Sequence, residues 1–389
     1  MKLTNKTTTV SAMALAAAAY SLPADPVETA LDEIFGQVEE SVPGKFGINY
    51  RIRYEETNDV GGVSQRIRYA YTTPGFSGFS ASIEGETLDS IDDGFNGLDQ
   101  AGEGTDLNQL WGQYKNADFG SLKVGRQIYV LDDQRFIGHV GWRQNIQTFD
   151  AATVSYTGVE NLQANAFYLG QVNRVNDTHI DLDSFGFNVS YTFDSAFKLT
   201  AFYYDIDDSD LALWDTETIG ARATGSFSVE DFKFKYAFSI ADQDATLGED
   251  GSYYAGDLSS SFSGVTLGGG FEILEQGFRT PLATVHKFSG FADAFAGQSI
   301  TGNGAGLEDI YVYAGYKLPV GNGVNLKAIY HWFEPETGGG DFGQEIDLVA
   351  AYKINKYMSL LAKYADYDAD TGSAVVDREV FTFELNFIY

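Results

Sequence analysis

The chain has 389 residues, with 43 glycines, 15% aromatic residues, no cysteine and a formal net charge of −30 at pH 7. The negative charge argues against nucleic acid as a partner, because like charges repel at long range. The missing cysteines exclude disulfides, thiolate metal sites and cysteine nucleophiles, and four histidines leave little room for a histidine-rich metal site.

The first element in chain order is an export signal. Lys2 and Lys6 form a basic region, residues 10–20 are apolar or small, and Ala17–Ala19 offer a small-residue cleavage site. We therefore predict a signal peptide over residues 1–19, with cleavage as late as residue 24; a buried N-terminal helix is the alternative. No later apolar run is long enough to predict a transmembrane helix.

A short periplasmic segment, residues 25–43, follows the predicted signal. Leu31, Ile34, Phe35 and Val38 recur at helical spacing among acidic residues. This spacing predicts a short acidic helix or a loose arm.

From residue 44 to residue 389 the apolar residues alternate with polar ones. The stretch "SFGFNVSYTF", residues 184–193, places Phe185, Phe187 and Val189 on one face, with Asn188 and Ser190 on the other. Such alternation predicts antiparallel strands with one apolar face. We count 18 of these segments, which start near Lys45, Val63, Phe76, Asp106, Ser121, Phe149, Asn161, Asp183, Phe197, Glu217, Phe232, Ser252, Val265, Leu307, Val324, Glu345, Met358 and Asp377.

The connectors between these segments alternate in length. Odd-numbered connectors, beginning with "ETNDVGG" at residues 56–62, are generally longer and acidic, whereas even-numbered ones such as "TTPG" and "NADFG" are short. Long extracellular loops and short periplasmic turns are typical of outer-membrane barrels. The sequence thus predicts an all-β, single-chain transmembrane antiparallel barrel of about 18 strands. A soluble sandwich or β-helix is the alternative, but 18 strands are many for one sandwich core.

This fold predicts a location in the bacterial outer membrane, in contact with lipid and lipopolysaccharide. The last strand carries Phe381, Phe383, Leu385 and Phe387 on one face and ends in the aromatic Tyr389. It resembles the terminal strand by which the barrel assembly machinery recognises outer-membrane proteins. We therefore expect that machinery to be a partner.

Arginines concentrate on the first two strands at positions that face the lumen. Pairing Ile52 with Ile67 would place Arg51 opposite Arg68 and Arg53 opposite Arg66, which forms one basic patch. Other lumen positions carry basic residues as well, namely Arg222, Lys233, Lys235, Lys327 and Arg378. Lumen acids are also present, namely Glu84, Glu86 and Glu384. The wall is either balanced internally or forms a basic track for an anionic solute.

Two connectors are candidates for loops that fold into the barrel. The third, from Arg126 to Thr148, also contains Asp132, Asp133, Arg135 and Arg143. The seventh contains Arg279, His286 and Lys287 with several aromatic residues. Either loop could form a constriction in a barrel of this size.

These two connectors carry a family resemblance. The stretches "KVGRQIYVLDDQRFIGHVGWRQNIQTFDAATVSY" (Lys123–Tyr156) and "FRTPLATVHKFSGFADAF" (Phe278–Phe295) resemble the alginate-export family of outer-membrane barrels. The "FGINYRIRYE" opening of the first strand gives weaker support. The resemblance implies a passive channel with an arginine-rich lumen for a uronate polysaccharide. It assigns that path to Arg51, Arg53, Arg126, Asp132, Asp133, Arg135 and Arg143.

The function predicted is therefore a channel that passes anionic saccharides such as alginate-type uronates. The alternative is a general nutrient-uptake porin for small or neutral solutes. We expect no enzyme, because no G-x-S-x-G motif occurs and no histidine has triad-like spacing; His139 is best explained by loop packing. No cofactor is expected. Acidic loops such as "DDSD" and "DYDAD" raise the hypothesis of Ca²⁺ binding, against solvated loops bridged to lipopolysaccharide by divalent cations.

Overall fold

The structure is a closed antiparallel sheet of eighteen strands. The computed structural model describes residues 24–92, 97–209, 212–301, 304–371, 373 and 375–389, and the predicted signal peptide, residues 1–19, lies outside them. The strands are β1 (Lys45–Thr57), β2 (Val60–Thr72), β3 (Phe79–Ser90), β4 (Gly104–Asn116), β5 (Gly120–Gln127), β6 (Thr148–Tyr156), β7 (Leu162–Asn173), β8 (His179–Asp194), β9 (Phe197–Ile206), β10 (Thr216–Val229), β11 (Phe232–Ala245), β12 (Gly251–Phe262), β13 (Val265–Leu274), β14 (Leu307–Leu318), β15 (Val324–Glu334), β16 (Gly343–Lys353), β17 (Met358–Ala369) and β18 (Arg378–Ile388). The barrel closes because β1 pairs with both β2 and β18.

The predicted fold class and strand count are confirmed. Most strands begin within a few residues of their predicted starts. The largest difference is at β8, which begins at His179 rather than near Asp183. The strand starts earlier because the alternation continues upstream, with Leu182 buried and Asp181 exposed.

The two faces of each strand differ in the way that a membrane barrel requires. On β8, Phe187 is 52% exposed and faces outward, while Ser184 and Asn188 are buried on the inner face. Apolar side chains on the outside meet lipid, and polar side chains line the interior.

Most connectors alternate in length around the barrel. One end, called the turn end, has the connectors 73–78, 117–119, 157–161, 195–196, 230–231, 263–264, 319–323 and 354–357. The other, called the loop end, has the connectors 58–59, 91–103, 128–147, 174–178, 207–215, 246–250, 275–306, 335–342 and 370–377. In outer-membrane barrels the turn end is periplasmic. The first connector, predicted as a longer loop, is instead a tight turn.

This turn also corrects the predicted register of the first hairpin. Asn58 and Asp59 have φ of 48° and 64°, so a two-residue hairpin joins β1 to β2. The strands extend to this turn, and Arg51 lies opposite Arg66 rather than Arg68; Arg53 lies opposite Ser64. The shift is two residues, so every side chain keeps its predicted face.

The hydrophobic core of the protein lies inside the barrel, where two loops pack against the wall. The Phe136 ring, from connector 128–147, lies 4.9 Å from the Phe202 ring and 5.7 Å from the Tyr253 ring on the wall. The Phe295 ring, from connector 275–306, lies 4.6 Å from that of Phe333. These aromatic contacts fill part of the lumen with loop side chains.

Helices are few in the described part of the chain. They are α1 (Ala24–Ser41), α2 (Gly97–Ala101), a 3-10 turn (Val285–Lys287) and α3 (Ala296–Thr301). Helix α1 occupies most of the segment predicted at residues 25–43. Among these described helices, none combines the length and the apolar character needed to cross a membrane.

We predict that Asp59→Val destabilises the barrel relative to Asp59→Gly. A β-branched residue at positive φ costs about 1–2 kcal/mol, whereas glycine adopts that conformation without strain. The midpoint of urea-induced unfolding of the refolded barrel measures the difference. Equal midpoints for the two variants would contradict the assigned turn.

Candidate functional site

Two loops, L3 (residues 128–147) and L7 (residues 275–306), meet inside the barrel. The Gly138 amide donates to the Leu282 carbonyl at 2.8 Å, and the Val140 amide donates to Thr284 Oγ1 at 3.0 Å. The Gln147 side-chain amide reaches the same Leu282 carbonyl at 3.1 Å. The two connectors that the sequence singled out as inserted loops are therefore joined to each other.

The backbone of L3 is held by a group of arginines on β1 and β2. This basic wall consists of Arg51, Arg53, Arg66 and Arg68. Arg51 donates to the carbonyls of residues 141–143 at 3.1–3.2 Å, and Arg53 donates to one of them. Arg66 and Arg68 donate to the Gln144 carbonyl at 3.2 and 3.0 Å. Carbonyls that lack a sheet partner inside the barrel are satisfied in this way.

Carboxylates neutralise much of the basic wall. Arg53 pairs with Glu384 and lies 3.4 Å from Glu55 and 3.6 Å from Asp99, and Arg68 pairs with Glu86. The structure thus brings the four arginines together. However, Arg53 is only 1% exposed and Arg66 is fully buried, so these two side chains are not open to lumen water.

An aromatic stack joins L3, L7 and the wall. The Trp142 ring lies parallel to the His286 ring, with centroids 4.1 Å apart. The Arg53 guanidinium lies 4.3 Å from the Trp142 centroid, and Lys363 Nζ lies 3.6 Å from it. Lys363 Nζ is also 3.0 Å from His286 Nε2. Because an ammonium can only donate, Nε2 accepts, and Nδ1 carries the proton that it donates to Asp293 at 2.8 Å.

The backbone of L7 is held by carboxylates, the reverse of the arrangement at L3. The acidic wall consists of Glu272 on β13 with Glu345 and Asp347 on β16. The Phe291 amide donates to Asp347 at 3.2 Å, and the Ala292 amide donates to Glu345 at 2.8 Å. The Ser289 hydroxyl donates to Glu272 at 3.2 Å. The acidic wall therefore satisfies L7 donors.

Gly290 is required by this contact. Its φ is +83°, and a Cβ built there would lie 2.4 Å from Glu345 Oε2. Any larger residue would displace the loop from the acidic wall or strain the backbone.

Arg143 connects L3 to the barrel and to L7. Its guanidinium donates to Glu55 on β1 at 3.0 Å and to Asp293 of L7 at 2.9 Å. A single buried L3 side chain thus joins L3 to the barrel and to L7.

Arg135 and Arg279, two further arginines predicted to line the pore, are also buried among protein groups. Arg135 is 1% exposed, pairs with Glu272 at 2.8 Å and donates to the Thr280 and Ser299 hydroxyls. Arg279 is buried and donates to the carbonyls of two other loops. Arg135 thus joins L3 to L7, and Arg279 joins L7 to connectors 207–215 and 246–250.

The remaining predicted lumen residues are less buried. Arg222 pairs with Asp133 at 2.7 Å, and Asp132 is exposed and accepts from Asn188 at 2.6 Å. Arg378 is half-buried on the inner face of β18, opposite Tyr367.

A second basic feature is formed by lysines on the inner face, most of them in the half of their strand next to the turn end. These lumen lysines are Lys45, Lys115, Lys123, Lys198, Lys233, Lys235, Lys317, Lys327, Lys353 and Lys363. Their face follows from alternation: Lys233 and Lys235 share the side of the buried Gln243, while Phe238 and Ile240 on the other side are exposed.

The lumen lysines form no ion pairs within the part of the chain that the structure describes. Every residue directly opposite one of them on a neighbouring strand is uncharged, as with Ser226 and Ser259 on either side of Lys235. In the described ranges none of them lies within 4.0 Å of a carboxylate oxygen. The sequence placed Lys45, Lys233, Lys235 and Lys327 on the lumen face; strand parity applied to each lysine is the signal that finds the rest.

A sequence model described as alginate export matches residues 43–250, more than half of the chain. The chain belongs to the alginate export family. Comparison with curated protein sequences found no match.

Solved structures with the same fold are outer-membrane proteins. OpdK from Pseudomonas aeruginosa has a TM-score of 0.72 at 13% identity, covering 89% of this chain and 98% of that chain. OccAB2 from Acinetobacter baumannii has a TM-score of 0.72 at 15% identity, with the same coverage. A structure of Pseudomonas aeruginosa OpdK with vanillate has a TM-score of 0.71 at 14% identity, again with 89% and 98% coverage. Membership of the alginate export family, together with the shared barrel fold, identifies the protein as a channel of the bacterial outer membrane.

One residue of the alginate export motif does not face the lumen. Arg126 was predicted to line the pore, but it lies near the loop end of β5 on the face of Leu122 and Val124, which are 41% and 53% exposed. It pairs there with Asp150 through bonds of 2.7 and 2.9 Å. The prediction was wrong because β5 extends through Gln127, so strand parity turns Arg126 outward.

The histidines and acids do not form a metal centre in the part of the chain that the structure describes. No group of three or more histidine, aspartate or glutamate side chains there is arranged to hold a metal ion. His139 Nδ1 lies 2.8 Å from Gln134 Oε1 within L3, a loop-packing contact. Ca²⁺ binding at the acidic loops stays a prediction.

We predict that Arg143→Met loosens the L3–L7 contact, whereas Arg126→Met does not. Removing Arg143 leaves Glu55 and Asp293 without their shared partner, and breaking a buried pair costs about 3–5 kcal/mol. Single-channel recordings in planar bilayers should show larger conductance fluctuations for Arg143→Met. Arg126→Met, on the outer face, is the matched control; identical traces for both variants would refute the assignment.

We also predict that acidification loosens the aromatic stack. Burial holds the pKa of the L7 residue His286 down to about 4, Lys363 and Arg143 also lower it, and Asp293 opposes them. Above the ordinary histidine pKa of about 6.5 the stack of His286 on Trp142 keeps its full stability. As the pH falls from 6.5 towards 4, protonation of His286 is favoured in the loosened state, and the stack loses stability. Open-channel current noise should therefore rise between pH 7 and pH 5.

Two observations check the assignment of this pH effect to His286. His286→Gln should lose the change between pH 7 and pH 5. For Asp293, burial raises the pKa, but His286 and Arg143 outweigh it and bring it to about 2, so its contribution is lost only at more acidic pH. Unchanged wild-type noise from pH 7 to pH 5 would exclude the effect.

Proposed function

We propose that this channel passes anionic solutes and that acidic saccharides such as alginate-type uronates are the favoured class. The supporting observation is the set of lumen lysines, whose directly opposed neighbours are uncharged. Positive charges without partners in a narrow aqueous space raise the local concentration of anions. Membership of the alginate export family supports the uronate class.

The spacing of the lysines suits a polyanion. Lys363 packs on Trp142 and His286 and is set apart from the others. The remaining lumen lysines are distributed over eight different strands, so each offers a separate, weak site to a carboxylate. A lysine is a strongly hydrated point charge on a flexible stem and does not clamp a carboxylate as an arginine fork does. Conduction requires binding that is strong enough to admit the solute and weak enough to release it.

In this proposal the arginines act mainly on the loops. Arg51, Arg53, Arg66 and Arg68 hold the L3 backbone, and Arg143 connects it to L7. They set the position of the constriction, while the lysines supply the charge that faces the solute. Arg222 and Arg378, being less buried, remain candidates for direct contact with the solute.

The axial distribution of charge favours export over uptake. Most lumen lysines lie next to the periplasmic turn end, whereas the connectors at the loop end are rich in acids, as in "EPETGGGDFG" at residues 334–343. A polyanion is therefore attracted to the lysines at the periplasmic mouth and repelled by the acidic connectors at the loop end, which opposes its entry from outside. Divalent cations on the acidic loops would weaken that barrier.

The second candidate is uptake of small carboxylates or neutral nutrients. The observation in its favour is the aromatic packing of L3 and L7, which fills part of the lumen. A related barrel, OpdK, has been crystallised with vanillate, a small carboxylate. Liposome swelling with uncharged sugars and with mannuronate oligomers distinguishes the two: rapid neutral permeation without oligomer block would favour uptake.

We predict that Lys233→Gln/Lys235→Gln lowers anion selectivity. A unit charge about 10 Å from an ion contributes ~0.4 kcal/mol in water, which is about a twofold change in partition per lysine. The reversal potential across a planar bilayer with a KCl gradient measures the change.

Lys356→Gln is the matched control for this experiment. Lys356 lies outside the lumen in turn 354–357 and pairs with Asp32 at 2.6 Å. Selectivity should be unchanged in this variant. A wild-type channel that prefers cations, or a double variant with unaltered reversal potential, would overturn the proposal.

A further inference from the structure

Helix α1 has an apolar stripe that the rest of the described chain covers only in part. Val27, Leu31, Ile34 and Val38 recur every three or four residues and so share one face. Val27 is 48% exposed and Ile34 is 57% exposed. Glu33 and Glu40 lie on the opposite face by the same periodicity.

The helix is fixed against the turn end of the barrel at the edge of this stripe. The Phe35 ring stacks on the Tyr389 ring with centroids 3.6 Å apart and lies 6.0 Å from the Phe387 ring. Tyr389 donates its hydroxyl proton to the Phe35 carbonyl at 3.3 Å. Asp32 pairs with Lys356 in turn 354–357 at 2.6 Å.

The contact residues place the helix beside the barrel wall. On β18 the inward residues are the buried Thr382 and Glu384, so Phe383, Leu385 and Phe387 face outward towards lipid. Tyr389 continues that outward row. A helix that packs on this row lies at the level of the membrane surface, next to the barrel.

We propose that α1 lies in the periplasmic leaflet of the outer membrane, with its apolar stripe among the acyl chains. The stripe is continuous with the lipid-facing row of β18 through Phe35, and the acidic face is turned to the periplasm. This arrangement is that of an interfacial amphipathic helix, which buries one apolar face in the headgroup and acyl boundary.

The position of the helix gives the anchor a structural role. Helix α1 leads directly into β1 and packs on β18, the two strands whose pairing closes the barrel. Membrane-bound α1 therefore covers the periplasmic edge of the closure. The anchor does not depend on which solute the channel passes.

Site-directed spin labelling tests the proposal. The chain has no cysteine, so Ile34→Cys and Glu33→Cys each give one label position. The labelled barrel is reconstituted in vesicles of phosphatidylethanolamine and phosphatidylglycerol. For each position, the collision rate of the spin label with oxygen, which dissolves in the acyl chains, is compared with its collision rate with a water-soluble nickel chelate. The label at position 34 should be accessible to oxygen and protected from nickel, and the label at position 33 should show the reverse.

A second pair of positions guards against local disturbance. Val27→Cys and Glu40→Cys repeat the comparison about two helical turns away. The heat-modifiable mobility of the folded barrel verifies that each variant is intact. Equal nickel accessibility at positions 27, 34, 33 and 40 would overturn the proposal. Protection of positions 27 and 34 from both reagents would also overturn it, because protein would then cover the stripe.

Discussion

The structure depends on one constraint: a loop that enters a barrel needs partners for its backbone groups. The strands already pair with each other, and little water reaches the packed interior. The wall supplies charged side chains of opposite kind to the two loops. Arginines of the basic wall bind L3 carbonyls, and carboxylates of the acidic wall bind L7 amides. Much of the arginine charge is therefore used for architecture, and the proposed function assigns contact with the solute mainly to the lysines.

The barrel could be predicted from the sequence because lipid on one side imposes strict alternation. Residues 184–193 show this clearly, and the strand count follows from repeating the test along the chain. The register of β1 and β2 could not be predicted in the same way. A shift of two residues preserves both faces, so the register was decided by the positive φ of Asn58 and Asp59, which alternation does not report.

The site was predictable only in part. Charge and the family motif singled out the arginines, but their partners Asp99, Asp293 and Glu384 are distant in sequence and come together only when the barrel closes and the loops enter it. The lumen position predicted for Arg126 was wrong because β5 continues to Gln127, which puts the Arg126 side chain on the outer face of the barrel. The lumen lysines follow no motif; strand parity places each on the inner face, and closure of the barrel brings their strands around one lumen. Lys363 lies on a wall strand, and its contact with Trp142 and His286 requires both loops to be in place.

The unequal charge at the two ends of the barrel has an electrical consequence. Lumen lysines lie mostly near the turn end, and acidic residues crowd the loop end. A pore with fixed charge of opposite sign at its two mouths acts as an ionic rectifier, because one polarity of voltage fills it with mobile ions and the other depletes it. The molecule thus has an intrinsic diode-like direction, and the shape of its current–voltage curve reveals which way round it has inserted in a bilayer.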